Sequence, residues 1–266
     1  MKLTMLGTGN ALVTKCYNTC FVIQDNDKSF LVDGGGGNML LSQLQKADID
    51  WMSIREIFVT HKHMDHLMGI FWMARMICQF MNHGKYDGDA YIYAHDEVIN
   101  LIRTVGSQLM TSNQARFIDD RLHLVEVHDV EKINILGRQT EFFDINSTKA
   151  KQFGFRMNIG ENEYLTCCGD EPLPKSKEKY ALNSKWMLHE AFCLYDERDI
   201  FNPYEKNHST VKDACELAAK LNIENLVLYH TVENNLKNRK ELYTAEGSKY
   251  YEGNIFVPND LEVIEL

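Results

Sequence analysis

The sequence predicts an α/β sandwich: two β-sheets laid face to face, with helices covering their outer sides. Three observations carry this reading. The chain opens with short β-type runs, LTML (3–6), CFVI (20–23) and SFLV (29–32), separated by turn residues such as Asp25, Asn26 and Asp27. From residue 55 onward, strand-like runs alternate with segments of helical length. The middle of the chain is then strand after strand. With four prolines in 266 residues there is no Pro-rich linker, and no fixed-period repeat is seen, so one domain over 1–266 is expected.

The elements follow in order. A four-glycine loop at 34–37 precedes a helix over 38–46. REIFVTH (55–61) reads as a strand, and DHLMGIFWMARMICQFMN (65–82) has helical length without proline. Its apolar residues cover nearly all of its surface, which predicts a core helix or a subunit interface rather than a pocket wall. AYIYA (90–94) is a strand, and 95–109 reads as one helix. Strands are expected at 123–127, 139–145, 154–159 and 164–168, and around MLHEAF (187–192). A helix over 210–221, the strand NLVLYH (225–230), a helix near 235–246 and closing strands at 254–257 and 261–265 complete the chain.

Composition narrows the function. An apolar share of 44% with 25% charged residues is that of a globular protein. The net charge of −10 repels polyanions and argues against broad nucleic-acid binding. The start MKLTMLGTGN has no apolar stretch after Lys2, and the longest apolar run, near 69–80, is broken by Arg75 and Gln79, so neither a secretory leader nor a membrane span is expected. Seven cysteines without paired spacing then read as reduced thiols in a cytoplasmic protein.

THKHMDHLMG (60–69) concentrates three of the ten histidines, with an aspartate, in six positions. His61 and His63 lie two apart at a strand end, where side chains i and i+2 point the same way. Asp65 and His66 follow where the chain turns into a helix and face the same space. Imidazole and carboxylate donors in this arrangement suit Zn, Mn or Fe.

His61-Lys62-His63-Met64-Asp65-His66 resembles the HxHxDH motif of the metallo-β-lactamase-fold hydrolases. Leu6-Gly7-Thr8-Gly9, Val32-Asp33-Gly34-Gly35-Gly36-Gly37, Cys168-Gly169-Asp170 and Tyr229-His230-Thr231 resemble, in order, further motifs of the ribonuclease Z branch. The resemblance implies a four-layer αββα sandwich of two mixed sheets, two divalent metal ions, Zn first among them, and a homodimer. It implies that His61 and His63 hold one metal, that Asp65, His66 and His230 hold the second, and that Asp170 bridges them. The family expects another histidine on the first metal, before a Gly-aromatic pair. Here that region reads FFDINSTKAKQFGF (142–155), where Asn146 best fits the place, or Asp144 in another register. An amide oxygen is a weak ligand, so the first metal is expected to bind loosely or to be missing. His189-Glu190-Ala191 and His208-Ser209-Thr210 resemble the family's HEA and HST motifs. Ser209 or Thr210 reads more simply as a helix N-cap. Lys149 and Lys151 follow the Asn146 turn and suit a phosphate, although a solvated loop is the simpler reading.

The chemistry implied is hydrolysis by a metal-activated hydroxide, with Asp65 as ligand and base and His208, oriented and kept charged by Glu190, as proton donor to the leaving oxygen. The histidine/glutamate pair favours phosphodiesters. The substrate is expected to be a small or short phosphodiester, such as a cyclic nucleotide or a short oligonucleotide. tRNA is not expected, because MNIGENEYLTCC between Phe155 and Gly169 leaves no room for a tRNA-gripping arm. Ester, thioester or lactam hydrolysis, a metal-binding homologue without catalysis, and an iron-using oxygen or sulfur enzyme of the same fold are the alternatives.

Overall fold

The computed structural model describes all 266 residues. Fourteen strands form two mixed seven-stranded sheets. The first contains β1 (Lys2–Gly7), β2 (Cys20–Asp25), β3 (Lys28–Val32), β4 (Ile54–Phe58), β5 (Ala90–Ala94), β6 (Leu122–Glu126) and β14 (Val263–Glu265), in the order β14-β1-β2-β3-β4-β5-β6. The second contains β7 (Lys132–Ile135), β8 (Arg138–Asp144), β9 (Phe153–Gly160), β10 (Glu163–Cys167), β11 (Trp186–Glu190), β12 (Asn225–Tyr229) and β13 (Asn254–Phe256), in the order β13-β12-β11-β10-β9-β8-β7. The first sheet is antiparallel from β14 to β3 and parallel from β3 to β6; the second is antiparallel from β7 to β10 and parallel from β10 to β13.

Strand alternation builds the layers. Phe21 and Ile23 face the other sheet while Cys20 and Val22 face outward, and Leu188 and Val227 point inward while Met187, Leu226 and Leu228 point outward. The inner faces meet in a cluster centred on Phe30, Phe58, Phe142 and Phe155, whose rings approach edge-on or tilted at 4.9–5.7 Å. One outer face is covered by the helices Met39–Lys46, Met64–Asn82 and Asp96–Leu101, the other by Val211–Lys220 and Arg239–Gly247. This is the four-layer sandwich expected. Helix Met64–Asn82 is buried on most of its length, as its apolar coverage predicts, but leaves Met64 and Trp72 exposed.

The differences are local. β7 (KINI) is too short and polar to announce itself, and it exists because β8 offers an edge. The expected helix over 95–109 is interrupted by a π-turn at Ile102–Gly106. β4 stops at Phe58, and residues 59–60 bridge the sheets instead: Val59 N–H donates to Tyr93 O at 3.0 Å and Phe153 N–H donates to Thr60 O at 3.0 Å. The cysteines are all free, and no helix is long and apolar enough to cross a membrane.

Candidate metal centre

The sheet ends deliver the site. Helix Met64–Asn82 is preceded by His63, which holds extended backbone (φ −62°, ψ 149°), so the chain turns into the helix between His61/His63 and Asp65/His66. The first turn is pinned to the glycine loop by Gly34 N–H to His66 O at 2.8 Å and Gly69 N–H to Gly35 O at 2.9 Å. A Cβ on Gly69 would overlap the Gly34 carbonyl, which is why two glycines meet here. Asp170 follows β10 through Gly169, whose φ of +82° bends the backbone, and the Tyr229 hydroxyl donates to the Gly169 carbonyl. His230 ends β12 in the left-handed region at φ +58°, as does Asp33 at φ +58°. Such strain in non-glycine residues costs roughly 1–3 kcal/mol each and collects at functional sites.

Two groups of donors form. His61, His63 and Asp170 make one and Asp65, His66 and His230 the other, each with its donor atoms within 4.8 Å of one another. Asp170 Oδ2 ties them together. It lies 3.7 Å from His61 Nε2, 3.5 Å from His66 Nε2 and 3.5 Å from His230 Nε2. His61 Nε2 is 2.8 Å from His63 Nδ1, and His66 Nε2 is 3.3 Å from Asp65 Oδ2.

The far nitrogens are held by partners that the motif reading did not single out. His66 Nδ1 lies 2.7 Å from Asp33 Oδ2. The Thr60 hydroxyl donates to Asp33 Oδ2 at 2.8 Å and is 2.9 Å from His61 Nδ1. The Thr19 hydroxyl donates to Gly9 O at 3.0 Å and is 3.2 Å from His230 Nδ1. A hydroxyl that has given its proton away can only accept, so the His230 ring keeps its proton on Nδ1, as His66 does toward the Asp33 carboxylate, and both turn Nε2 into the site. Asp33 sits in a quoted motif; Thr19 and Thr60 left no signal of their own.

Electrostatics fit a cation. Burial pushes His61 well below the ordinary imidazole range and lowers His230, so both offer lone pairs. Burial would raise Asp65 and Asp170, but the surrounding imidazoles hold both carboxyls below their usual range. Burial opposes charge on His66 as well, yet Asp65 and Asp33 outweigh it and raise its pKa. Its buried Nε2 has no hydrogen-bond partner. An orphaned nitrogen ringed by carboxylates is what a divalent ion satisfies.

Asn146 does not join them. It is an exposed turn residue at φ +58°, its N–H bonded to Asp144 Oδ1 at 2.7 Å, a conformation asparagine tolerates. Asp144 Oδ1 is thereby occupied with the same turn. The residue that reaches the first group from this loop is Gln152: its amide nitrogen donates to Asp170 Oδ1 and lies 2.9 Å from His61 Nδ1. The first group therefore has no third imidazole.

Beside the second group, His208 stacks on Phe192 (4.7 Å, 3°) and its ring centre is 5.4 Å from that of His230. Its Nδ1 faces Glu190 Oε2 at 3.7 Å, and neither atom has another partner, while Glu190 Oε1 accepts the Ser209 N–H. Burial pushes His208 down to about 3 and Glu190 well up. Burial thus works against charge on both partners, whereas the sequence reading expects Glu190 to keep His208 charged. Thr210 caps the helix Val211–Lys220 in a box with Asp213, the simpler reading of that motif. Asn10, Leu12, Lys149, Phe192, His208 and His230 line a cleft of ≈ 480 Å³. Lys151 lies elsewhere, paired with Asp96 at 2.6 Å.

Comparison with known proteins places the fold in a family. The family model described as anti-Pycsar protein Apyc1 matches residues 1–248. A ribonuclease Z of Thermococcus sibiricus is 24% identical over 308 residues, covering 100% of this chain and 96% of that protein. The metallo-β-lactamase-fold protein YhfI of Bacillus subtilis superposes with a TM-score of 0.80 at 16% identity, over 100% of this chain and 99% of that one. The short form of human tRNase Z gives 0.73 at 20% identity, over 100% and 99%. The chain belongs to the anti-Pycsar protein Apyc1 family, among the ribonuclease Z-like metal-dependent hydrolases of the metallo-β-lactamase fold.

Proposed function

We propose that the protein hydrolyses a small phosphodiester of mononucleotide size, with a cyclic nucleotide as the first candidate. The observation that carries this reading is Asp170 Oδ2, placed 3.5–3.7 Å from three imidazole nitrogens, with an acid/base pair at its side. His61, His63 and Asp170 would hold one divalent ion; Asp65, His66, His230 and the same Asp170 would hold another, Zn before Mn or Fe. Bound ions supply an activated water near neutral pH and offset the charge on the phosphoryl oxygens.

The chain's own residues do the rest. Asp65, in the first helical turn, would orient the donor set and serve as the base toward a metal-activated water. Glu190 holds the pair's proton at rest. When an anionic substrate enters, its charge favours protonated His208, and the proton passes from Glu190 through the imidazole to the leaving oxygen. The His208–Phe192 stack keeps the ring in line. A leaving alkoxide needs that proton more than a thiolate does, which favours phosphodiester over thioester.

Size selection follows from the fold. β9 and β10 are joined by a turn at 161–162, with no protruding arm, and the cleft suits a ligand of mononucleotide size. With the net charge of −10, this favours a small substrate over tRNA. A cytoplasmic homodimer is the assembly we propose, with the exposed Met64, Trp72 and Leu109 as the apolar face to be covered.

The test is elemental analysis of the purified protein together with hydrolysis of bis(p-nitrophenyl) phosphate, cyclic mononucleotides, short oligonucleotides, tRNA precursor and p-nitrophenyl acetate. Metal retention with turnover of the small phosphodiesters supports the reading. Turnover of the acetate alone moves the assignment to acyl chemistry, and full metal without turnover of any substrate points to a metal-binding protein.

A further inference from the structure

Lys149 has a place in the site that neither the motifs nor the family match assigns. The loop between β8 and β9 withholds the expected histidine, yet it is a built device. Ser147 Oγ accepts from Lys149 N–H at 3.1 Å and Ala150 N–H at 3.3 Å, and donates to Glu171 Oε1 at 2.9 Å. Asn207 Nδ2 donates to Glu171 Oε2 at 2.6 Å. Glu171 is buried and adjoins the shared ligand Asp170. The loop is thus fastened to the residue next to the metal donors, and Lys149 stands on it at the cleft wall.

Its ammonium is ion-paired with Glu171 but makes no hydrogen bond. Lys149 Nζ is 3.7 Å from Glu171 Oε1, too long for a hydrogen bond, so three donors remain for a ligand. The other lysine of the cleft, Lys206, donates to Phe201 O at 2.7 Å and lies 5.3 Å from the Phe192 ring centre. Lys149 is also near enough for its charge to act on His208 and Glu190. In a chain of net charge −10, an anionic substrate needs a local cation, and the first donor group lacks one imidazole.

We propose that Lys149 is a substrate-binding residue whose ammonium takes a non-bridging phosphoryl oxygen in the cleft it shares with His208 and His230, beside the second donor group. This rests on the phosphodiesterase reading above. Glu171, held by Ser147 and Asn207, is the positioning residue that keeps Lys149 over the cleft.

The experiment compares metal-loaded wild type with Lys149→Ala and Lys149→Arg in steady-state hydrolysis of a cyclic mononucleotide, and measures binding of inorganic phosphate by calorimetry. For Lys149→Ala, KM and the phosphate dissociation constant rise about 10- to 100-fold, the loss of one charged hydrogen bond, while kcat changes less and metal content is kept. Lys149→Arg recovers most of the affinity, and added salt raises KM less in Lys149→Ala than in wild type. Equal phosphate affinity in wild type and Lys149→Ala overturns the inference, whether or not the wild type turns over. Wild-type inactivity with phosphate still bound through Lys149 overturns only the phosphodiesterase reading.

Discussion

The two donor groups are built to different standards. The second takes Asp65 and His66 from one helical turn and His230 from the opposite sheet, and both imidazoles are locked from behind, by Asp33 and by Thr19. In the first, His61 lies against Thr60, but His63 is only half-buried, and the loop that should bring a third imidazole brings the amide of Gln152 to Asp170. One group has its imidazoles backed on both sides of the site, while the other has an amide where an imidazole was expected. The difference teaches that two donor groups sharing one carboxylate can be fixed by quite different surroundings.

The sharpest way to break this contrast is to remove what the groups share. Asp170→Ala should cost both metal equivalents and all measurable turnover, read by elemental analysis; retention of one ion would show that Asp170 serves a single group. His208→Ala should keep both metals and lower kcat by about 10²- to 10⁴-fold, the range of a lost general acid. The inequality itself is tested by the backing residues. Thr19→Val should weaken the second ion and Thr60→Val the first, each about 10- to 100-fold, in chelator competition. In wild type the first ion should leave at lower chelator concentration, and simultaneous loss would end the comparison. Smallest of all, Asn146→His should change neither metal content nor stability beyond ±0.5 kcal/mol in denaturant melts, because an imidazole there faces solvent.

Much of this was legible in the sequence. Period-two apolar runs gave strands and layers, and His61 to His66, Asp170 and His230 stand in motifs whose order alone brings them together. What was hidden depends on distance along the chain. Thr19 meets His230 across 211 positions and Gln152 meets His61 across 91, and such pairs leave no local pattern. Asn146 looked like a ligand because spacing counts residues, whereas the left-handed turn there aims its side chain outward. The surroundings of His208 were hidden for a related reason: a motif shows that Glu190 is near, but not that both side chains are buried, which works against charge on each.

Arg239 gives these distances a consequence in time. Buried at 1% exposure, it donates to Thr231 Oγ1 at 2.7 Å, to Thr8 Oγ1 at 3.1 Å and to Pro258 O at 2.6 Å, and β1 has β14 as its outer neighbour. β1 therefore has its edge closed, and the His230 segment is fastened, by residues 258–265, far along the chain from both. The short-range motif from His61 to His66 meets His230 only once those long-range contacts have formed, so the two donor groups are completed by the slowest class of contact in the fold.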